Sequence, residues 1–242
     1  MCRHDSPKGS VCALSIADLF PTQYSVGEIQ VFCLKEHLKE LLADTDLLLD
    51  HWFSTLIPVI HNRNRFYLVD HHHYVRAVYE LEIQTSNVVL HQQPTQRIVF
   101  ARIQLNLDLD EHEFWKEMKK RGYYFAYHNG FAKPPNDFPH CASELHDDPY
   151  RSLSYLVAQL GGFTPSKLFY SEFLWADFLR ERLRLPRDFD GTDVEILEKA
   201  LSMVHSKRAR SLPGYSKNPV NVSHPSHCSL IEKLRENIPL VK

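Results

Sequence analysis

Residues 65–82 read RFYLVDHHHYVRAVYELE, and a change of period inside this stretch decides the fold. Phe66 to Val69 are continuously apolar, with aromatic and branched side chains that suit a buried strand. Asp70 ends that run. From Tyr74 the spacing changes: Tyr74, Ala77, Val78 and Leu81 fall at i, i+3, i+4 and i+7, one apolar stripe of a helix. His72 or His73, Arg76 and Glu80 occupy the other face. A strand running straight into a helix leaves backbone N–H groups at the junction, where the helix dipole is positive, and this predicts an anion site. Helical side chains lean toward the N-terminus, so Arg76 can reach back to His72 and His73. Cationic groups gathered there call for a negative partner, and a phosphate supplies one. The competing reading is local: neutral imidazoles, Asp70 as an ordinary N-cap, and Arg76 paired with Glu80 one turn on.

Working outward, Leu56–Ile60 and Phe66–Val69 are apolar runs separated by the polar spacer 61–65, a hairpin that delivers Asp70 to the junction. Ala13–Ile16 predicts a short first strand, and 28–49 a helix with Val31, Leu34, Leu38, Leu41 and Leu42 inward. Asn87–His91 and Arg97–Leu105 are further strand candidates around a turn at 92–95. Beyond Asp110 the pattern is helical: Glu111–Lys120 with Phe114, Trp115 and Met118 inward, then Asp148-Pro149 as N-cap and first residue of a helix to Leu160. Tyr170–Leu183 and a segment from about 192 to Val204 give two more helices. The loop 121–138 is too long for a simple connector, and loops of this kind cover sites. These readings divide the chain into a loose leader (1–12), a sheet domain (13–109), a helical extension (110–205) and a flexible or peripherally docked tail (206–242).

The formal net charge of −2 argues against a surface built for the DNA backbone, which calls for a basic face. The five cysteines form no C-x-x-C pair, and there is no secretory signal or long apolar run, so the expectation is a cytoplasmic protein with reduced thiols. Consecutive histidines point in different directions, so His71, His72 and His73 cannot all chelate one transition metal.

The segment 67–81, YLVDHHHYVRAVYEL, resembles the ligand-binding loop of the ParB/sulfiredoxin superfamily, where a strand ends in a D-G-H-H-R or G-x-H-R motif before a helix. Three further stretches, LFPTQYSVG at 19–27 and the blocks 147–163 and 169–180, make the chain similar to the bacterial ParB-like nuclease family. The resemblance implies an α+β fold: a small mixed ParB/sulfiredoxin-like sheet with helices and a helical C-terminal extension. It also implies a bound nucleotide, ATP/ADP or CTP, with Mg²⁺. In that setting Asp70 would hold the metal or position an attacking hydroxyl, and His72 and His73 would donate to phosphate oxygens. Glu28 stands where related phosphotransferases carry an acidic base, although the helix dipole alone also favours Glu there. His71, Arg76, Thr22, Gln23 and Arg151 complete the expected ligand set, Arg151 either supporting the site or pairing with Asp147. The chain departs from the motif with His71 where Gly is usual and Tyr74 where Arg is usual, and Arg76 is placed to replace that Arg from one turn along. Sulfiredoxin chemistry needs a cysteine in this loop, and 71–73 contain none. Three readings follow: phosphoryl transfer or hydrolysis on a nucleotide or phosphorylated ligand, a nuclease acting on DNA, or a non-catalytic nucleotide-sensing or protein-interaction module.

Overall fold

The computed structural model describes residues 2, 6–81, 97–166, 168–222 and 226–238. In chain order the elements are β1 (Val11–Ser15), β2 (Leu19–Pro21), β3 (Ser25–Val26), α1 (Glu28–Leu41), α2 (Thr45–Ser54), β4 (Ile57–Asn62), β5 (Arg65–Leu68) and α3 (His72–Glu80). They continue with β6 (Ile98–Leu107), α4 (Glu111–Arg121), β7 (Tyr127–His128), β8 (Phe131–Ala132), β9 (His146–Asp147), α5 (Pro149–Gln159), α6 (Ser171–Arg180), α7 (Val194–Val204) and α8 (Ser229–Asn237). The fold is α+β, as expected. The chain forms two compact units: residues 1–25 with 37–146, and 26–36 with 147–242. The first unit runs on to residue 146, with α4 and the segment after it packed on the sheet. Among the described residues no helix is long and apolar enough to cross a membrane.

In the first unit a five-stranded mixed sheet runs β1-β6-β4-β5-β2. Central β4 is buried at all six positions, which is why its sequence is apolar without alternation through Ile60. It pairs antiparallel with β5 and parallel with β6, the register slipping between Val59 and Ile60. The expected hairpin is therefore present. Helix α4 has Asp110 as its cap, acids in its first turn, bases in its last, and Gly122 left-handed at its end. Its Phe114 and Met118 join Ile60 and Val69 in a core cluster, with Tyr67 and Trp115 packed at its edge. The strand expected at Asn87–His91 and the turn at 92–95 lie outside the described residues. The leader is tied down in part: Gly9 N donates to Ile103 O, and Cys2 is bonded to Cys12.

The second unit is helical. Leu153, Leu156, Val157, Trp175, Leu179, Leu197 and Val204 form its core, and Phe163 stacks on Trp175 at 4.2 Å. Gly27 lies so close to α5 that an added Cβ would sit 2.7 Å from the Ser152 nitrogen. The tail adds a helix to this unit. Residues 229–237 form α8, whose Ile231 and Leu234 are buried in this core, as are Cys228 and Ile238 beside it. Cys33 and Cys228 form a disulfide across 195 residues, their Cα atoms 4.8 Å apart. Tertiary packing, invisible to sequence spacing, brings these cysteines together. The expectation of reduced thiols is thus corrected for four of the five; Cys141 remains free.

Candidate functional site: the β5–α3 turn

Strands β2 and β5 run parallel, with Pro21 opposite Leu68, so the chain leaves both at the same edge of the sheet. The carboxyl ends of parallel strands are where α/β sheets gather ligands. Here they set Thr22 against the Asp70–His73 turn. Two hydrogen bonds fasten the contact. Thr22 N donates to His72 Nε2 at 3.1 Å, and Thr22 Oγ1 donates to Leu68 O at 2.5 Å. An imidazole that accepts at Nε2 is neutral and has no donor there. His72 and His73 are buried, 2% and 7% exposed. His72 Nε2 is thus taken up by the Thr22 amide. This ring fixes the turn from inside.

The turn's outer side is different. Asp70 and His71 side chains are 52% and 39% exposed. Asp70 Oδ1 accepts from the His71 amide at 2.7 Å. His71 occupies the N-cap position in the left-handed region (φ 65°, ψ 26°), and its side chain caps nothing. This is the position where the resembling motif carries Gly, and the backbone keeps the conformation that Gly would supply at no steric cost. Asp70 is thus not the formal N-cap, although it does satisfy one amide of the turn. Among the described residues Asp70 belongs to no group of three or more His, Cys, Asp or Glu close enough to share an ion. A Mg²⁺ here would rest on one carboxylate and on oxygens brought by a phosphate ligand, an ordinary arrangement for that ion.

The remaining residues of the expected site have structural partners. Arg76 Nε pairs with Glu80 at 2.5 Å, as the local reading had it. Its Nη1 donates to the carbonyls of Ala142, Ser143 and Leu145 at 3.2, 3.3 and 2.9 Å. Arg76 holds the 142–145 segment against α3 through these bonds. Gln23, 3% exposed, turns its amide to Ser25 O at 2.8 Å. The loop after α4 backs the same stretch: Phe125 N donates to Thr22 O, and the Tyr24 ring packs on Phe138 at 4.7 Å, tilted. Burial, with the Asp137 carboxylate adding to it, pushes the Tyr24 phenol up to about 12, so it stays a neutral donor to Pro134 O.

Glu28 and Arg151 belong to the second unit. The Glu28 amide donates to Asp147 Oδ1 at 3.1 Å and the Ile29 amide to Ser152 Oγ at 3.1 Å, so the block at 147–152 caps the start of α1. Asp148 caps α5 through the Tyr150 amide and takes both arms of Arg180, at 2.6 and 3.2 Å. Arg151 lies 3.7 Å over the Phe173 ring and pairs with Glu172 at 3.2 Å. The sequence blocks around Gly27, Asp148 and Arg180 thus meet as a set of caps and buried ion pairs.

A family model described as "Putative ParB-like nuclease" matches residues 12–181. The chain belongs to the ParB-like nuclease family. The crystal structure of protein Atu1540 from Agrobacterium tumefaciens is similar to this ParB-like chain, with a TM-score of 0.65 and 29% identity. The similarity covers 86% of this chain and 98% of Atu1540. No curated protein matches it. The matched region contains the turn, the Thr22 segment that fastens it and the capping blocks.

Sequence reasoning passed over a second concavity in the first unit, walled by Phe20, Tyr67, Trp115 and Phe138. One signal was available. Phe114 and Trp115 are adjacent on a helix, about 100° apart, so with Phe114 in the core Trp115 sits at its edge, where it lines the concavity.

Proposed function

We propose that this ParB-like chain binds a phosphate-bearing small ligand at the β5–α3 turn, and that the histidines there act neither as acid nor as base. The observation that carries the reading is the start of α3. A helix opens on left-handed His71 at the carboxyl end of a parallel strand pair, with Asp70 and His71 facing solvent. Backbone amides at such a start favour an anion by about 0.3–1 kcal/mol when exposed and up to about 2 when partly buried. Asp70 would hold Mg²⁺ against the phosphate oxygens, which makes a nucleotide with Mg²⁺ the ligand to test first. Buried His72, already accepting from Thr22, supports recognition over catalysis.

Thermal-shift measurements with ATP, ADP and CTP, each with Mg²⁺, test this. Stabilisation of the wild type that disappears in Asp70→Ala and persists in His73→Ala is the expected result. No stabilisation of the wild type would remove the proposal, and stabilisation that survives Asp70→Ala would move the site elsewhere. The family description carries a second reading, a nuclease. Cleavage of short DNA by the wild type, absent in Asp70→Ala, would favour it.

A further inference from the structure

The first unit holds a cavity of about 330 Å³ whose lining includes none of residues 70–76. Its construction follows from strand and helix geometry. Arg65 and Tyr67 lie two apart on β5 and share a face, and Phe20 stands opposite Tyr67 on β2. Helix α4 brings Trp115 over that face, and the loop after it brings Phe138. The rings form a continuous wall: Phe20–Tyr67 at 5.9 Å, Tyr67–Trp115 at 5.6 Å and edge-on, Trp115–Phe138 at 5.6 Å. Such a wall takes another flat ring by stacking or edge contact.

The charges in the lining are specific. Arg63 is met by Asp108 at 3.3 Å. Arg65 and Glu111 both line the cavity and both act on the Tyr67 hydroxyl, whose pKa burial raises, with Arg65, hydrogen-bonded to it, pulling down and Glu111 adding to the rise. Among the described residues, however, neither makes an ion pair. One cation, lying 5.0 Å over the Phe20 ring, and one anion therefore stand close to a single phenol beside an aromatic wall, neither in an ion pair among the described residues. Glu111 is the one carboxylate among the described lining residues.

We propose that this cavity is a second binding site, for a small zwitterion carrying a planar ring: a free aromatic amino acid. Its carboxylate meets Arg65, its ammonium meets Glu111, and its ring packs on Tyr67 and Trp115. The volume accommodates one such molecule. A phosphate ligand at the turn is a separate matter, since it rests on Asp70 and not on these residues.

Isothermal titration of the full chain tests the proposal with L-tryptophan, tryptamine, which lacks the carboxylate, and indole-3-propionate, which lacks the ammonium. Tryptophan is expected to bind at least about tenfold more tightly than either analogue. Arg65→Ala should abolish the preference over tryptamine, and Glu111→Gln the preference over indole-3-propionate. Both residues are exposed, so the variants keep the fold, which circular dichroism verifies. Asp70→Ala should leave tryptophan binding unchanged. The proposal is overturned by absence of tryptophan binding up to about 10 mM, by an analogue that binds equally well, by full binding in Arg65→Ala, or by loss of binding in Asp70→Ala.

Discussion

His71 is the residue at which sequence and backbone disagree. Its φ of 65° is left-handed, a conformation that costs a side-chain-bearing residue about 1–2 kcal/mol. Glycine there would lose more freedom on folding, about 0.5–1 kcal/mol. The His71 ring gives little in return, lying 3.9 Å from a half-exposed Asp70 carboxylate. His71→Gly is therefore expected to raise stability by about 0.5–1 kcal/mol, read as a higher urea midpoint at unchanged slope; a lower midpoint would show that the imidazole does structural work. The departure from the glycine of the motif was visible in the sequence. The role of its neighbour was not. That His72 accepts from Thr22 depends on β2 lying parallel to β5, and no local pattern reports that pairing. The same holds for Arg76, whose Glu80 partner is one turn away and legible, while its carbonyl partners at 142–145 are not.

At the scale of elements, the period change at Asp70 placed β5 and α3 correctly, and the Asp148-Pro149 start of α5 stood as read. Helix α8 was missed. Its segment is short and polar on most faces, and packing stabilises it more than propensity does. Helix α2 makes a prediction of its own. Its His51 ring meets His37 at 5.2 Å and Tyr74 at 5.7 Å, and its buried Nε2 has no hydrogen-bond partner. Burial, and secondarily the nearby His37, lowers the His51 pKa below the usual imidazole value. The folded state thus binds fewer protons here than the unfolded chain. The stability contribution of His51 is complete above the unfolded pKa of about 6.5 and is lost as pH falls toward the folded value. Urea unfolding between about pH 5 and 8 should show stability falling on the acid side, with a smaller fall in His51→Phe. Equal slopes in the two proteins would contradict the assignment.

At the scale of the molecule, the sequence blocks that carry the family resemblance divide by task. The PTQ and DHHH stretches meet at one edge of the sheet, while the DDPYRS and WADFLR stretches meet as caps and ion pairs within the helical unit. Residue types that suggest chemistry, Asp148 and Arg180, form a helix cap and an ion pair. A buried carboxylate–guanidinium pair and a catalytic one look alike in one dimension. Only the coordinates separate the inward-facing histidines from the outward-facing Asp70 and His71, and the central claim is that an anion meets the latter side alone. A backbone amide NMR titration with ATP and Mg²⁺ tests this most directly. The largest shifts should fall on the amides of His71 to Tyr74, with the His72 Nε2 resonance unmoved and the response absent in Asp70→Ala. Shifts confined to other parts of the chain, or a His72 imidazole that changes its protonation on binding, would contradict it.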